Sequence, residues 1–387
     1  MDRPEGLTLS NWLDAPYNRW GFWHVRQMTR TARISRGEGP VTHLPRAERS
    51  FDDIVVEYEG ERFDWDRYLA ETFTDALVVI HDGTLIHEWY AGGYGPTDTH
   101  LLMSCSKSLT ATYLGVLVGD GRVDPLATVP DYIPRLRGTA WEGCIVQSVL
   151  DMRAGARFDE SDYDNPESDG RLIEEVSGYR PRVREGLPAD TAAWIAGIEN
   201  EREHGGIFEY RSILTDVLAW IIQEVTGEHF ATGFSRDVWS RIGAERDADL
   251  IVDEAGFPVV EGGISTSARD FARFGLMCLQ GGEIDGKRVI PADWLGRLQV
   301  RDQDLIDAYI ATQGVDPAFP DSFYHDQWWV LDPAAGIYSG YGINGQQLLI
   351  HHPSETVVAK FSTWPTADSG LGLQDAGLAA ACGRLLG

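Results

Sequence analysis

The residues with the clearest chemical potential are Ser104-Cys105-Ser106-Lys107, the only Ser-x-x-Lys in a chain of 387 residues. At the start of a helix, positions three apart share one face, so the lysine amine can reach the serine hydroxyl. A serine hydroxyl is a weak nucleophile until a neighbouring base takes its proton. A lysine can be that base if burial lowers its pKa from the usual 10.4 or so. Apolar flanks, Leu101-Leu102-Met103 before and Leu109 after, predict a semi-buried Lys107. A helix start at Ser104 also aims that residue's backbone N–H where an oxyanion could be stabilised. The motif alone also fits an ordinary helix start carrying a solvated lysine.

Two further elements could complete such a centre. Tyr210-Arg211-Ser212 precedes an apolar helix pattern, and a phenol beside a buried amine can pass protons between a serine and a leaving group. Taken singly, Tyr210 is more simply a half-buried loop aromatic. Gly340-Tyr341-Gly342-Ile343-Asn344-Gly345 is read as entering a strand, its glycines letting the backbone approach a substrate closely. An ordinary bulge or turn would look the same.

Other motifs fall away. Gly281-x-x-x-x-Gly286-Lys287 is followed by Arg288 rather than Ser or Thr, and it leaves a helix rather than a strand, so a tight turn explains it better than a phosphate loop. There is no Gly-x-Ser-x-Gly elbow and no His-Glu-x-x-His. His351-His352 would point to opposite faces of a strand and cannot share a metal. Cys105, Cys144, Cys278 and Cys382 have no paired spacing, which predicts free buried thiols. No metal and no cofactor are expected.

The elements that must hold these residues can be traced along the chain. Ala76–Ile80 and Leu85–Tyr90 read as the arms of a hairpin, and a helix should run from Ser104 to about Val118. Thr215–Val225 and about Ala268–Leu279 read as helices. Gln327–Leu331, Ile343–His351 and Thr356–Thr363 read as strands, followed by a helix over about Leu373–Leu386. The organisation expected is an N-terminal wrapping segment over 1–50, an α/β lobe from 51–124 and 263–387, and a mainly helical lobe over 125–262. Strands toward both ends of the chain with helices between them suggest one sheet built from both ends and a helical lobe inserted midway, so the fold class is α/β in the α+β sense.

Bulk composition narrows the partners. A net charge of -27 repels phosphate backbones and anionic membranes, so neither nucleic acid nor membrane is an expected partner. Only Lys107, Lys287 and Lys360 are lysines. The start of the chain has no basic, apolar leader, and no apolar run could span a bilayer. The expectation is a soluble, cytoplasmic protein acting on a small molecule, with a homodimer as the assembly weighed because it is the commonest.

The order Ser-x-x-Lys, Tyr-x-Ser and a Gly-containing strand motif resembles the penicillin-recognising, serine β-lactamase-like family, nearest its class C enzymes and D-stereospecific peptidases and esterases. Thr215–Gly227 and Gly262–Gly275 are similar to family segments. Pro16-Tyr17-Asn18-Arg19-Trp20, Leu101-Leu102-Met103-Ser104, Gln327-Trp328-Trp329 and Ser362-Thr363-Trp364-Pro365 resemble the 6-aminohexanoate-dimer hydrolase branch. The resemblance implies a serine β-lactamase/DD-peptidase-like fold, an antiparallel sheet flanked by helices plus an inserted helical lobe, with Ser104 as acylated nucleophile, Lys107 as its activator and Tyr210 as general base and acid. It implies an oxyanion hole from the N–H groups of Ser104 and Ile343. It places Tyr163 and Glu174 near a substrate amine; Glu261, Ser212 and Asn344 are further candidates to face the cleft.

Two departures carry weight. The family's Lys-Thr-Gly would fall on Gly340-Tyr341-Gly342, so the cation that holds a β-lactam carboxylate is missing, and turnover of a chromogenic cephalosporin is expected to be weak or absent. Ser212 stands where Tyr-x-Asn is usual, a shorter hydrogen-bonding arm. The implied activity is hydrolysis of small linear amides and short-chain esters through an acyl-enzyme. A D-peptidase or penicillin-binding enzyme, and a non-catalytic binding protein, are the alternatives.

Overall fold

A computed structural model describes residues 2–163 and 165–386. Seven strands form its main sheet: β1 (Thr74–His81), β2 (Thr84–Tyr90), β3 (Phe323–His325), β4 (Trp328–Asp332), β5 (Ile337–Gly342), β6 (Gln346–His351) and β7 (Thr356–Ser362). Their order is β3-β4-β5-β6-β7-β1-β2, and every neighbouring pair is antiparallel. Distant parts of the chain thus meet where β7 pairs with β1, Thr356 opposite His81 and Phe361 opposite Ala76.

The unbroken apolar run of β1 reflects burial on both faces. Ala76, Val78 and Ile80 face one core together with Phe271 and Phe274. Leu77 and Val79 face a second core with Leu378, Ala381 and Cys382. Four longer helices matter here: α1 (Cys105–Gly119), α2 (Ile213–Thr226), α3 (Ala268–Leu279) and α4 (Leu371–Leu385). The first core holds α3 close to the sheet: a Cβ on Gly275 would stand 2.4 Å from Val357 Cγ1. The second core is closed by α4.

Two expectations about strands are corrected. The strand expected over Ile343–His351 begins at Gln346; Ile343–Gly345 is a tight turn with Asn344 at φ 60°. Gly340 and Gly342 therefore close a strand, β5, instead of entering one. The β-branched Ile343 suits a strand, and the break is marked only by the Asn344-Gly345 turn that follows it.

The first fifty residues also contribute structure that their uneven pattern did not announce. Thr31–Ile34 pairs with Ala248–Ile251, which pairs with Ile264–Ser267 and through it Thr99–Leu101. This four-stranded sheet joins the start of the chain, the end of the 125–262 stretch and the approach to Ser104. Trp12, Trp20 and Phe22 pack with Leu101, Met103 and Tyr179. Among the described residues no helix is long and apolar enough to cross a membrane, and all four cysteines are free and buried.

Candidate active site

Ser104 sits at the mouth of α1, and the turn that delivers it is tight. Met103 has φ 46°, a left-handed conformation that is costly for a long side chain. The turn is held by Leu102 N–H donating to Ile264 O at 2.8 Å and Ser106 N–H donating to Met103 O at 2.9 Å. The end of β5 presses on it: a Cβ at Gly342 would lie 2.6 Å from Leu102 O, and one at Gly340 would lie 3.1 Å from Ser108 Oγ. These glycines let the strand approach the helix start, where the sequence suggested an approach to substrate. A lysine at position 340 would have to grow into α1.

One turn on, Lys107 is 1 % exposed. Its Nζ lies 2.9 Å from Ser104 Oγ, within hydrogen-bonding distance, and donates to the backbone carbonyl of Glu261 at 2.6 Å. It also stands 5.1 Å from the centre of the Tyr210 ring. Burial pulls the Lys107 pKa below the ordinary value, against the opposing pull of Glu160, Glu261 and Asp216. Tyr210 stacks on Trp329 at 5.6 Å and meets Tyr324 edge-on at 5.9 Å, so β3 and β4 fix the ring. Burial and the Glu160 charge push its phenol well above the usual range, while hydrogen bonding with Ser104 works the other way. Hydroxyl, amine and phenol are thus brought together from positions 104, 107 and 210.

Around them lies a cleft of about 380 Å³ whose walls include Ser104, Ile343, Tyr163, Ser212, Glu174, Glu261 and Asn344. The other expected residues play unequal parts in it. Tyr163 is 40 % exposed at the rim. Glu174 is engaged by Arg171 and by Arg180 at 2.7 Å, and Arg180 also grips Asp14 at 2.6 Å. Asn344 spends its amide on the carbonyls of Trp364 at 2.9 Å and Thr366 at 3.3 Å, which anchors the Pro365–Ala367 rim. Ser212 donates to Glu160 at 3.2 Å. Glu261 is buried, and its Oε2 has no hydrogen-bond partner among the described residues.

Two acids at this centre escaped the sequence reading. Glu160, buried and lining the cleft, has its pKa pushed up to about 7 by burial, with Lys107 opposing. Glu261 is pushed up to about 7 by the same balance. The second missed acid is Asp216, in the first turn of α2, where an acid is already explained by the helix dipole. The burial of both depends on elements remote in sequence, so no local signal marked them.

Among the described residues, Asp151, His325 and Asp326 bring potential metal-ligand atoms within 4.8 Å of one another. The protein already occupies this group: His325 Nδ1 and Gln147 Nε2 contact Asp151 at 2.8 and 2.9 Å, and Arg297 pairs with Asp326 at 3.0 Å. None of the three lines the cleft.

Comparison with known proteins agrees with this architecture. Residues 66–373 match the Beta-lactamase family. A 6-aminohexanoate-dimer hydrolase from Paenarthrobacter ureafaciens is 37% identical over 362 residues, covering 94% of this chain and 89% of that protein. A solved Bacillus anthracis structure, provisionally assigned as a 6-aminohexanoate-dimer hydrolase, superposes with a TM-score of 0.90 at 27% identity over 100% of this chain and 98% of that one. A penicillin-binding protein homologue from Caulobacter crescentus shares the fold, with a TM-score of 0.58 at 14% identity over 81% of this chain and 96% of that one. The chain belongs to the beta-lactamase family of hydrolases, in its 6-aminohexanoate-dimer hydrolase branch.

Proposed function

We propose that this protein is a serine hydrolase that cleaves small linear amides, of the 6-aminohexanoate-oligomer type, and short-chain carboxylic esters through an acyl-enzyme on Ser104. The observation that carries this reading is the 2.9 Å contact between Ser104 Oγ and the amine of a buried Lys107. Burial favours the neutral amine, whose lone pair can accept the serine proton. One Lys107 N–H stays with the Glu261 carbonyl, which leaves the lone pair free to face Ser104.

The serine oxygen then attacks the substrate carbonyl, and the oxyanion is received by the N–H groups of Ser104 and Ile343, both at the cleft wall. Tyr210 carries a proton to the departing amine or alcohol as the C–N or C–O bond breaks. Water attacks the resulting ester, its proton passes back through the same phenol and amine, and the acid is released with Ser104 restored. Glu160 and Glu261 supply negative charge beside the reacting centre, which favours substrates bearing an ammonium group. Glu174, held by two arginines, has less charge to offer. Relatedness to a 6-aminohexanoate-dimer hydrolase points to the same substrate class.

Hydrolysis of p-nitrophenyl butyrate and of a 6-aminohexanoate dimer by Ser104→Ala checks the reading. Both activities should fall at least about a thousandfold, and intact mass should show an acyl adduct on the wild type alone. An unimpaired Ser104→Ala enzyme would end the proposal.

A further inference from the structure

The amine of Lys107 is oriented by a backbone carbonyl, so whatever fixes that carbonyl shares control of the reaction. Asp216 is in position to do so. Its Oδ1 accepts from the N–H of Val260 at 2.9 Å and from the N–H of Glu261 at 3.0 Å. The carbonyl of the same Glu261 accepts from Lys107 Nζ at 2.6 Å. A continuous path therefore runs from α2 through one turn to the lysine and on to Ser104. Asp216 and its two partner residues are buried, so water is poorly placed to replace the carboxyl.

We infer that Asp216 is a positioning residue: it clamps the Val260–Glu261 turn so that the Glu261 carbonyl holds one Lys107 proton and leaves the amine's lone pair directed at Ser104. The inference rests on the serine-hydrolase reading above. It explains why a buried acid is found here with one oxygen saturated by two amides and the other, Oδ2, without a hydrogen-bond partner among the described residues. Burial and the Glu261 charge raise the Asp216 pKa well above the carboxylate range, and what the two amides need is an oxygen, which asparagine also supplies. The clamp needs an oxygen at that point more than it needs a charge.

The groups that surround the lysine electrically are Glu160, Glu261, Asp216 and the Cys105 thiol, with the Tyr210 ring beside it. Of these only Asp216 is bound to the Val260–Glu261 amides. Its loss should therefore be distinguishable from a general change in cleft charge.

The test compares Asp216→Asn and Asp216→Ala with Ser104→Ala, measuring kcat, KM and the pH profile for a neutral p-nitrophenyl ester, and melting temperature in parallel. Asparagine keeps the acceptor, so it should retain kcat within about threefold. Alanine removes it; kcat should fall about tenfold or more at nearly unchanged KM, and the acid limb should move to lower pH as Lys107 loses its carbonyl partner. If alanine proves unfolded, the asparagine variant still decides: a tenfold loss there shows that charge, not the acceptor, matters, and overturns the inference. A folded alanine variant with wild-type kcat and acid limb overturns it too. A fully active Ser104→Ala would instead remove the underlying reading.

Discussion

At the scale of single residues, the telling feature is a set of groups held away from their ordinary protonation. Lys107 is pushed toward its neutral form while Glu160 and Glu261, each drawn up to about 7, sit at the threshold of ionisation. Acids with raised pKa values lose their charge as pH falls through that value. An ammonium-bearing substrate should therefore lose kcat/KM on acidification through about pH 7 more steeply than a neutral ester of similar size. Both substrates share the limb set by Lys107, so the difference between the two profiles isolates the acids. Glu160→Gln with Glu261→Gln should abolish that difference, whereas Glu174→Gln, whose carboxylate is committed to Arg171 and Arg180, should leave it. Parallel profiles in the wild type would show that neither acid meets the substrate.

Ser-x-x-Lys was legible because its spacing is itself the geometry: one helical turn puts both side chains on the same face, and the burial of Lys107 turns that into a contact. Glu160 and Asp216 were not legible, since their importance comes from what buries them. Asn344 shows a third case, a polar residue at the cleft wall whose amide is consumed in holding the Trp364–Thr366 carbonyls.

At the scale of elements, the edge of the sheet is fastened to the helices by charge. Asp151 follows the helix Val146–Leu150, Arg297 lies in the turn after Ala292–Gly296, and His325 ends β3. The imidazole contacts Asp151 at 2.8 Å and Asp326 at 3.3 Å. Burial lowers its pKa, but Asp326 and Asp151 outweigh that and lift it to about 9. A folded-state pKa above the unfolded value of about 6.5 means stability that is complete below pH 6.5 and lost as pH rises through 9. Melting temperature should thus decline between pH 7 and 10, and His325→Gln should start lower and decline less. An identical alkaline slope in both proteins would assign the decline to other groups.

The same scale shows where pattern reading stopped short. The helix expected over Ala268–Leu279 is the one observed, because its apolar stripe and its Ser267 cap are local. The strand boundary at Gln346 is set by a turn, and Thr31–Ile34 is a strand because Ala248–Ile251 lies ready to pair with it. A short segment with mixed residues carries no period of its own.

At the scale of the whole molecule, a net charge of -27 acts everywhere at once. Many arginines already sit in ion pairs, among them Arg26 with Asp249 at 2.6 Å and Arg269 with Glu88 at 2.5 Å, but the excess of acid remains. Salt screens such repulsion over about 10 Å at 0.1 M, so melting temperature should climb by a few degrees between 10 mM and 0.5 M NaCl. Calorimetry at fixed pH checks this; a flat or falling response would mean that the surviving ion pairs outweigh the excess.

The sequence by itself determined the helix that Ser104 opens, the lysine one turn along it, the helices that follow Tyr210 and Gly263, and the two hairpin strands between Ala76 and Tyr90. Those features follow from periods of two or about 3.6 residues and from contacts within one helical turn. Only the tertiary structure decided which acids face the amine, that Glu174 is neutralised by arginines, and that the Glu261 backbone, not its side chain alone, reaches Lys107. Burial and long-range hydrogen bonds are properties of segments brought together, and a single stretch of chain does not encode its neighbours in a form that spacing can reveal.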